Sequence, residues 1–405
     1  MRQYNIGFIL EQALGHVTHA KNLMANVPHD ASVTPHWGLV PFEVSGRAAK
    51  IPIYKSNWTV RSGLRARGLL AKMAREAPLD VLFFHTQVPA VLCTDWIRRI
   101  PSVVSLDATP LQYDELGASY SHETGPAWLE RIKWGLNRDC FAAARQIVAW
   151  TEWTKAGLVK GYGVDPEKIA VIPPGVTVRD WVSPKPRREP STRSVQSASV
   201  KVLFVGGDLE RKGGRLLLQA FRAVAQSTAV AQSTAVAQST AVAQQQPGIE
   251  LHLVTKEKLD PEPGLFVYNN VKPNSDFLKQ LYWDSDIFCL PTLGDCLPMV
   301  LSEAGAAGLP LISTRLAAIP EVAIEGETGL LVPPGDAEAL TVALRTLVEQ
   351  PELRARLGAR AAQLVAERFD SERNTQMLLD LLKIVADRST AQRTALKTSQ
   401  EGAHG

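Results

Sequence analysis

Residues 295–310 read "DCLPMVLSEAGAAGLP" and set two carboxylates, Asp295 and Glu303, among small and apolar neighbours. A strand-like run, "DIFCLP" (286–291), comes before them. Pro298 suits the first position of a following helix, because its absent N–H would be unpaired there in any case. The other first-turn amides, Met299, Val300 and Leu301, then lack partners inside the helix. Together with the helix dipole they make an anion site suited to a phosphate or diphosphate. Glu303 lies more than a turn further on, in a run of Ala and Gly that ends at Gly308, so the helix packs closely and buries it. A buried, unpaired carboxylate is costly, so Glu303 requires a hydrogen-bonding partner. A ribose diol would supply two donors. The plainer alternative is that Asp295 complements the helix start and Glu303 pairs with a lysine or reaches solvent.

The elements that must hold these groups follow from the apolar pattern. Runs at 5–10 ("NIGFIL"), 80–85 ("DVLFFH"), 102–106 ("SVVSL"), 146–150 ("QIVAW") and 169–173 ("IAVIP") punctuate the first half. The second half has 201–207 ("KVLFVGG"), 249–255 ("IELHLVT"), 286–291, 310–314 ("PLIST") and 329–333 ("GLLVP"). Short continuous runs separated by helix-length segments predict parallel strands covered on both faces. Two such sets predict an α/β chain with two Rossmann-like, doubly wound domains. The domains are expected at 1–181 and 200–368, joined by a Pro-, Ser- and Arg-rich linker at 182–199. A helix at 369–388 is expected to pack back on the first domain, ahead of a polar, disordered tail at 389–405. The threefold hexamer repeat at 225–242 is too short in period for a solenoid and reads as an expanded helix end or loop.

Composition narrows the function. Hydrophobic residues make up 45% and charged residues 21% of 405, as in a soluble globular protein with ample core. A net charge of +3 gives no argument for nucleic acid. Cys93, Cys140, Cys289 and Cys296 form neither a CxxC pair nor a Cys/His cluster, which argues against zinc and against a disulfide framework. The N-terminus lacks a signal-peptide h-region, and a cytoplasmic location is expected.

From residue 286 to 344 the chain resembles the retaining, nucleotide-sugar-dependent glycosyltransferases of family 4, which have the GT-B fold of two domains facing a cleft. The resemblance rests on an acid, seven residues and a Glu (Asp295 and Glu303), then "PLIST", Pro320–Glu321 and Gly329. It extends to "VLFVGGDLERKGGRLLLQAF" (202–221) and "AVIPPGV" (170–176), and loosely from residue 5 to about 388. The resemblance implies that Glu303 holds the ribose hydroxyls of a nucleotide diphosphate sugar and that Asp295 faces the sugar hydroxyls. The amides of Leu297, Met299 and Val300 would then meet sugar or diphosphate, and Lys212 would neutralise the diphosphate. Such a cation opposite a helix start stabilises a leaving diphosphate as its charge develops. No metal ligand cluster is evident, and the family generally works without one. The family's arginine five residues before the lysine is Gly207 here, and Arg211 is the expected substitute. The family's His–Asp after the fourth strand is "SLDATP", which keeps Asp107 without the histidine; Asp107 also suits a turn.

In the first half, Gly15 stands where the family's glycine-rich loop lets backbone approach the donor phosphate. His16 beside it reads either as a helix cap, the preferred reading, or as a substrate contact, and His85 ends a strand either as a core group or as a substrate contact. Two stretches, "NWTVRSGLRARGLLAKMAR" (57–75) and "WLERIKWGLNR" (128–138), combine basic and aromatic residues. Arg61, Arg65, Arg67, Lys72 and Arg75 with Trp58 could meet an anionic membrane surface, or form a solvated helix face. The function expected is transfer of a sugar from a nucleotide diphosphate sugar to an acceptor that is a glycan, lipid or small molecule. The alternatives are a silent nucleotide-sugar binder and a GT-B sugar-nucleotide epimerase.

Overall fold

The apolar runs of the first half become a six-stranded parallel sheet in the computed structural model, which describes residues 2–13, 15–44, 52–117, 124–184, 199–237 and 248–401. Its strands are β1 (Tyr4–Gln12), β2 (Val33–Pro41), β3 (Val81–Phe84), β4 (Ser102–Leu106), β5 (Gln146–Ala149) and β6 (Ile169–Val171). They lie in the order β2-β1-β3-β4-β5-β6. The helices between them are α1 (His16–Asn26), α2 (Pro52–Ser56), α3 (Trp58–Glu76) and α4 (Gln87–Ala90). Next come α5 (Thr94–Arg99), α6 (Pro110–Glu115), α7 (Ala127–Ala143) and α8 (Glu152–Tyr162).

The second sheet holds β7 (Val200–Val205), β8 (Ile249–Val254), β9 (Leu265–Tyr268), β10 (Ile287–Leu290), β11 (Leu311–Thr314) and β12 (Gly329–Val332). Its order is β12-β11-β10-β7-β8-β9, again all parallel. Its helices are α9 (Gly214–Ala237), α10 (Asp276–Asp284), α11 (Met299–Ala306), α12 (Ala337–Glu349) and α13 (Pro351–Arg368), and α14 (Ser371–Glu401) ends the described chain. The two strands that the apolar pattern did not reveal, β2 and β9, are both sheet edges. An edge strand is covered less completely, and β2 carries Pro35, His36 and Gly38 where a central strand would carry branched apolar residues.

Burial on both faces explains the continuous apolar runs. Along β1, Ile6, Phe8 and Leu10 join Leu23 of α1 and Leu378 and Leu382 of α14 in one core. Ile9 points the other way, into a second core with Leu70 of α3 and Phe141 of α7. Each such side chain contributes about 1.5–3 kcal/mol through burial.

The described residues divide into two units. One runs to Gly175 and resumes at Ser371; the other is Val176–Asp370. The crossover therefore precedes the expected linker, because residues from Val176 onward are already tied to the second unit. Val176 N donates to Phe369 O (2.9 Å), and buried Trp181 packs edge-on to Tyr282 (5.1 Å). Most of the expected linker, residues 185–198, lies outside the described residues. Helix α14 belongs to the first unit and runs to Glu401, past the expected stop at 388. Neither Gly nor Pro occurs between Ser371 and Glu401, and Gly402 is the first breaker. The hexamer repeat continues α9 as far as Ala237, and its remainder lies outside the described residues.

Candidate active site

In the second unit the strand order reverses between β7 and β10, and ligands of open α/β sheets bind outside the carboxyl ends of strands at such a point. The loop after β7 carries Gly207, Arg211 and Lys212; the loop after β10 carries Asp295 and leads into α11. Gly213 lets the two loops touch. Its φ is +72°, and a Cβ there would lie 1.9 Å from Pro291 O. Leu293 N donates to Arg211 O (2.8 Å), and Arg211 Nη1 donates to Gly294 O (2.7 Å).

The partner that Asp295 requires is Lys212. Lys212 Nζ is 2.5 Å from Asp295 Oδ2, and Arg211 Nη1 is 3.6 Å from Oδ1. The Thr292 hydroxyl lies within reach of both Asp295 Oδ2 (3.0 Å) and Arg211 O (3.1 Å), and its single proton serves one at a time. Arg211, Lys212 and Asp295 thus occupy a largely buried corner, with side-chain exposures of 20%, 17% and 12%, and exposed Asp208 adds a second acid with its Oδ2 3.5 Å from Arg211 Nε. Gly207 is exposed beside them, and a Cβ there would meet Lys256 Cε at 3.4 Å. Lys256 is a third basic residue at this edge that sequence reasoning passed over.

Helix α11 begins at Met299, with Pro298 as its cap rather than its first residue, and no side chain caps it. The Leu301 amide donates to Pro298 O (3.0 Å), so it is already used within the first turn. Met299 and Val300 begin the helix, and Leu297 is buried just before it. Glu303 is 7% exposed, and its Oε2 accepts from the Tyr282 hydroxyl at 2.8 Å. Burial raises the Glu303 carboxyl to about 7, with the Tyr282 hydrogen bond opposing the rise. Tyr282 was hidden from sequence reasoning because it shares the buried face of α10 with Leu278 and Leu281. Its clue was chemical: a fully buried tyrosine must find a partner for its hydroxyl.

In the first unit the strand order reverses between β1 and β3, and here too polar groups gather. Glu11, 3% exposed at the end of β1, accepts from Trp58 Nε1 (2.7 Å) and from the Thr86 hydroxyl. His85 is wholly buried, and neither ring nitrogen makes a well-formed hydrogen bond, a weak contact with the Glu11 backbone apart. Its ring centroid lies 5.4 Å from that of His16, 4.8 Å from His19 and 5.9 Å from Trp150. Burial first, then His19 and His16, holds the His85 pKa well below the usual imidazole range. Burial and then His16 lower His19 to about 3. His16 is the first residue of α1 and makes no cap; its Nε2 instead approaches Asp107 Oδ2 at 3.9 Å. Gly15 has ordinary helical angles and nothing within 4 Å of a Cβ, so it leaves room without being required by conformation. Asp107, His85 and Gly15 are therefore brought together, with His19 and Trp150 as members the sequence did not suggest.

The basic stretch at 57–75 is less free than its composition implied. Arg61 is buried and donates to the Tyr54, Lys55 and Phe42 carbonyls. Arg65 donates to the Tyr54 hydroxyl and the Pro41 and Glu43 carbonyls, and Arg67 pairs with Asp95. Among the described residues no helix is long and apolar enough to cross a membrane.

Two family models match the chain: Glycosyltransferase Family 4 over residues 16–180 and Glycosyl transferases group 1 over residues 199–350. The chain is 29% identical over 213 residues to the D-inositol 3-phosphate glycosyltransferase of Corynebacterium glutamicum, covering 51% of this chain but only 49% of that protein. It is 26% identical over 366 residues to the phosphatidyl-myo-inositol mannosyltransferase of Mycolicibacterium smegmatis, covering 88% and 85%. Among solved structures, Anabaena HepE in complex with UDP superposes with a TM-score of 0.63 at 17% identity, over 95% of this chain and all of that one.

Proposed function

The chain belongs to glycosyltransferase family 4 and has the GT-B fold, and from that premise we propose that it transfers a sugar from a nucleotide diphosphate sugar to an acceptor with retention at the anomeric carbon. The observation that carries this reading is the Arg211–Lys212–Asp295 cluster at the β7/β10 reversal, beside an uncapped helix start with Glu303 a turn along. HepE, whose fold the chain shares, was solved with UDP, which favours a nucleotide donor.

In this reading the diphosphate meets Lys212, Arg211 and the first amides of α11, and Glu303 accepts from the ribose. Asp295, paired with Lys212, is placed to accept from a sugar hydroxyl beside the diphosphate. As the bond from the anomeric carbon to the diphosphate breaks, the electron pair goes to the phosphate oxygen, where the cations stabilise it. The acceptor hydroxyl adds to the same face, and its proton passes to the departing phosphate. Asp107, with His16 beside it, and the loop at Gly15 are assigned to the substrate side of the first unit. His85, enclosed and without a well-formed hydrogen bond, serves that side as packing.

Peripheral membrane contact is assigned to α7 rather than α3. Trp128, Ile132 and Leu136 form an exposed apolar row at helical spacing, 65%, 51% and 43% exposed, with exposed Arg131 beside it.

Thermal shift against UDP-, GDP- and ADP-sugars identifies the donor, and NMR of the transferred sugar reads its configuration. An α-linked donor should give an α-linked product. Inversion would overturn the retaining assignment, an epimerised free sugar would favour the epimerase, and binding without turnover on any acceptor would favour the silent binder.

A further inference from the structure

We infer that Tyr282 is a positioning residue for donor binding: its hydroxyl fixes one oxygen of Glu303, leaving the other set for the nucleotide ribose. The inference rests on the reading that Glu303 meets the ribose, and adds to it a residue on a different element. Tyr282 lies on α10, outside both loops of the cation cluster. Its ring stacks on Phe288 of β10 (centroids 5.6 Å, planes 18° apart) and meets Trp181 edge-on (5.1 Å, 82°). All three rings are buried, so the hydroxyl has no freedom to swing away from Glu303 Oε2 at 2.8 Å.

A carboxylate held at neither oxygen turns about its last, broad torsion. Fixing Oε2 removes that freedom before the ligand arrives, which lowers the ordering cost of binding. The bond has a second effect. Among the described residues Tyr282 is the one titratable group acting on Glu303, and α13 packs Val365 and the Ala361 carbonyl against Gly305 on another face of α11. Burial alone therefore opposes ionisation, and the Tyr282 hydroxyl counters it. Removing the hydroxyl should raise the Glu303 pKa and move the onset of donor binding to higher pH.

The test uses whichever of UDP, GDP or ADP gives the largest thermal shift, titrated calorimetrically from about pH 6 to 9. Tyr282→Phe keeps the ring contacts and should weaken binding at neutral pH at least about fivefold. Its binding midpoint should move up in pH, while kcat at saturating donor stays within about twofold. Should the carboxylate left alone by Tyr282→Phe unfold the protein, the double variant Tyr282→Phe/Glu303→Gln carries no buried charge and should bind like Glu303→Gln alone. Wild-type affinity and midpoint in Tyr282→Phe, with Glu303→Gln clearly weakened, would sink the positioning role but leave the ribose reading intact. So would a double variant markedly weaker than Glu303→Gln. Unchanged binding in Glu303→Gln would remove the ribose reading, and the positioning role with it.

Discussion

His85 has both ring nitrogens buried without a well-formed hydrogen bond, and burial, then His19 and His16, disfavour a charge against a weak contact with the Glu11 backbone. The native protein therefore takes no proton there at a pH where the unfolded chain, with an imidazole pKa of about 6.5, does. Below about pH 6.5 each such histidine should cost about 1.4 kcal/mol of stability per pH unit, while Glu303, raised to about 7, takes up a proton in the native state over the same window and offsets one such slope. His19, lowered to about 3, adds a similar slope. Urea unfolding between pH 7 and about 5 should show this loss, and His85→Phe should remove about half of the slope that the two histidines share; an unchanged slope would mean that other groups govern acid sensitivity. At this scale the sequence exposed needs rather than partners. Asp295 and Glu303 stood out as acids requiring company. Lys212, 83 positions away from Asp295, and Tyr282, 21 from Glu303, became their partners only through the fold. Histidine spacing alone could not foretell that His16 would reach Asp107 rather than cap its helix.

Gly213 shows what an element junction demands. The loop after β7 must cross the end of β10 within touching distance, and only a residue without a Cβ fits beside Pro291 O at φ +72°. Gly213→Ala should destabilise the protein by more than about 2 kcal/mol, combining left-handed backbone strain with a clash against an immobile carbonyl. Donor affinity should fall with it, since Arg211 and Lys212 ride on the same loop. A urea midpoint within error of wild type would contradict this. The central strands were legible because both faces are buried, which writes them as continuous apolar runs. Edge strands β2 and β9 lack that signature and stayed hidden. The extra turns of α14 were hidden differently: a polar, Ser- and Thr-containing composition resembles a tail, yet it carries neither Gly nor Pro to stop the helix.

On the scale of the whole chain, two parallel six-stranded sheets each present a strand-order reversal, and each reversal gathers the polar residues of its unit. The sheets were legible from the alternation of runs and helices; the crossover near Val176 was not, because Trp181 and Val176 look like any apolar residues before a linker. If α7 meets a bilayer, Trp128→Ala with Ile132→Ala should cut co-sedimentation with phosphatidylglycerol-containing vesicles at least about fivefold, through lost apolar burial. Equal pelleting of variant and wild type would count against α7. Whether Lys212 and Glu303 hold the diphosphate and ribose of one nucleotide is decided by titrating the preferred nucleoside diphosphate into wild type, Lys212→Ala and Glu303→Ala. Both variants should bind at least about tenfold more weakly while keeping their fold. Wild-type affinity in both folded variants would place the nucleotide elsewhere and remove both assignments.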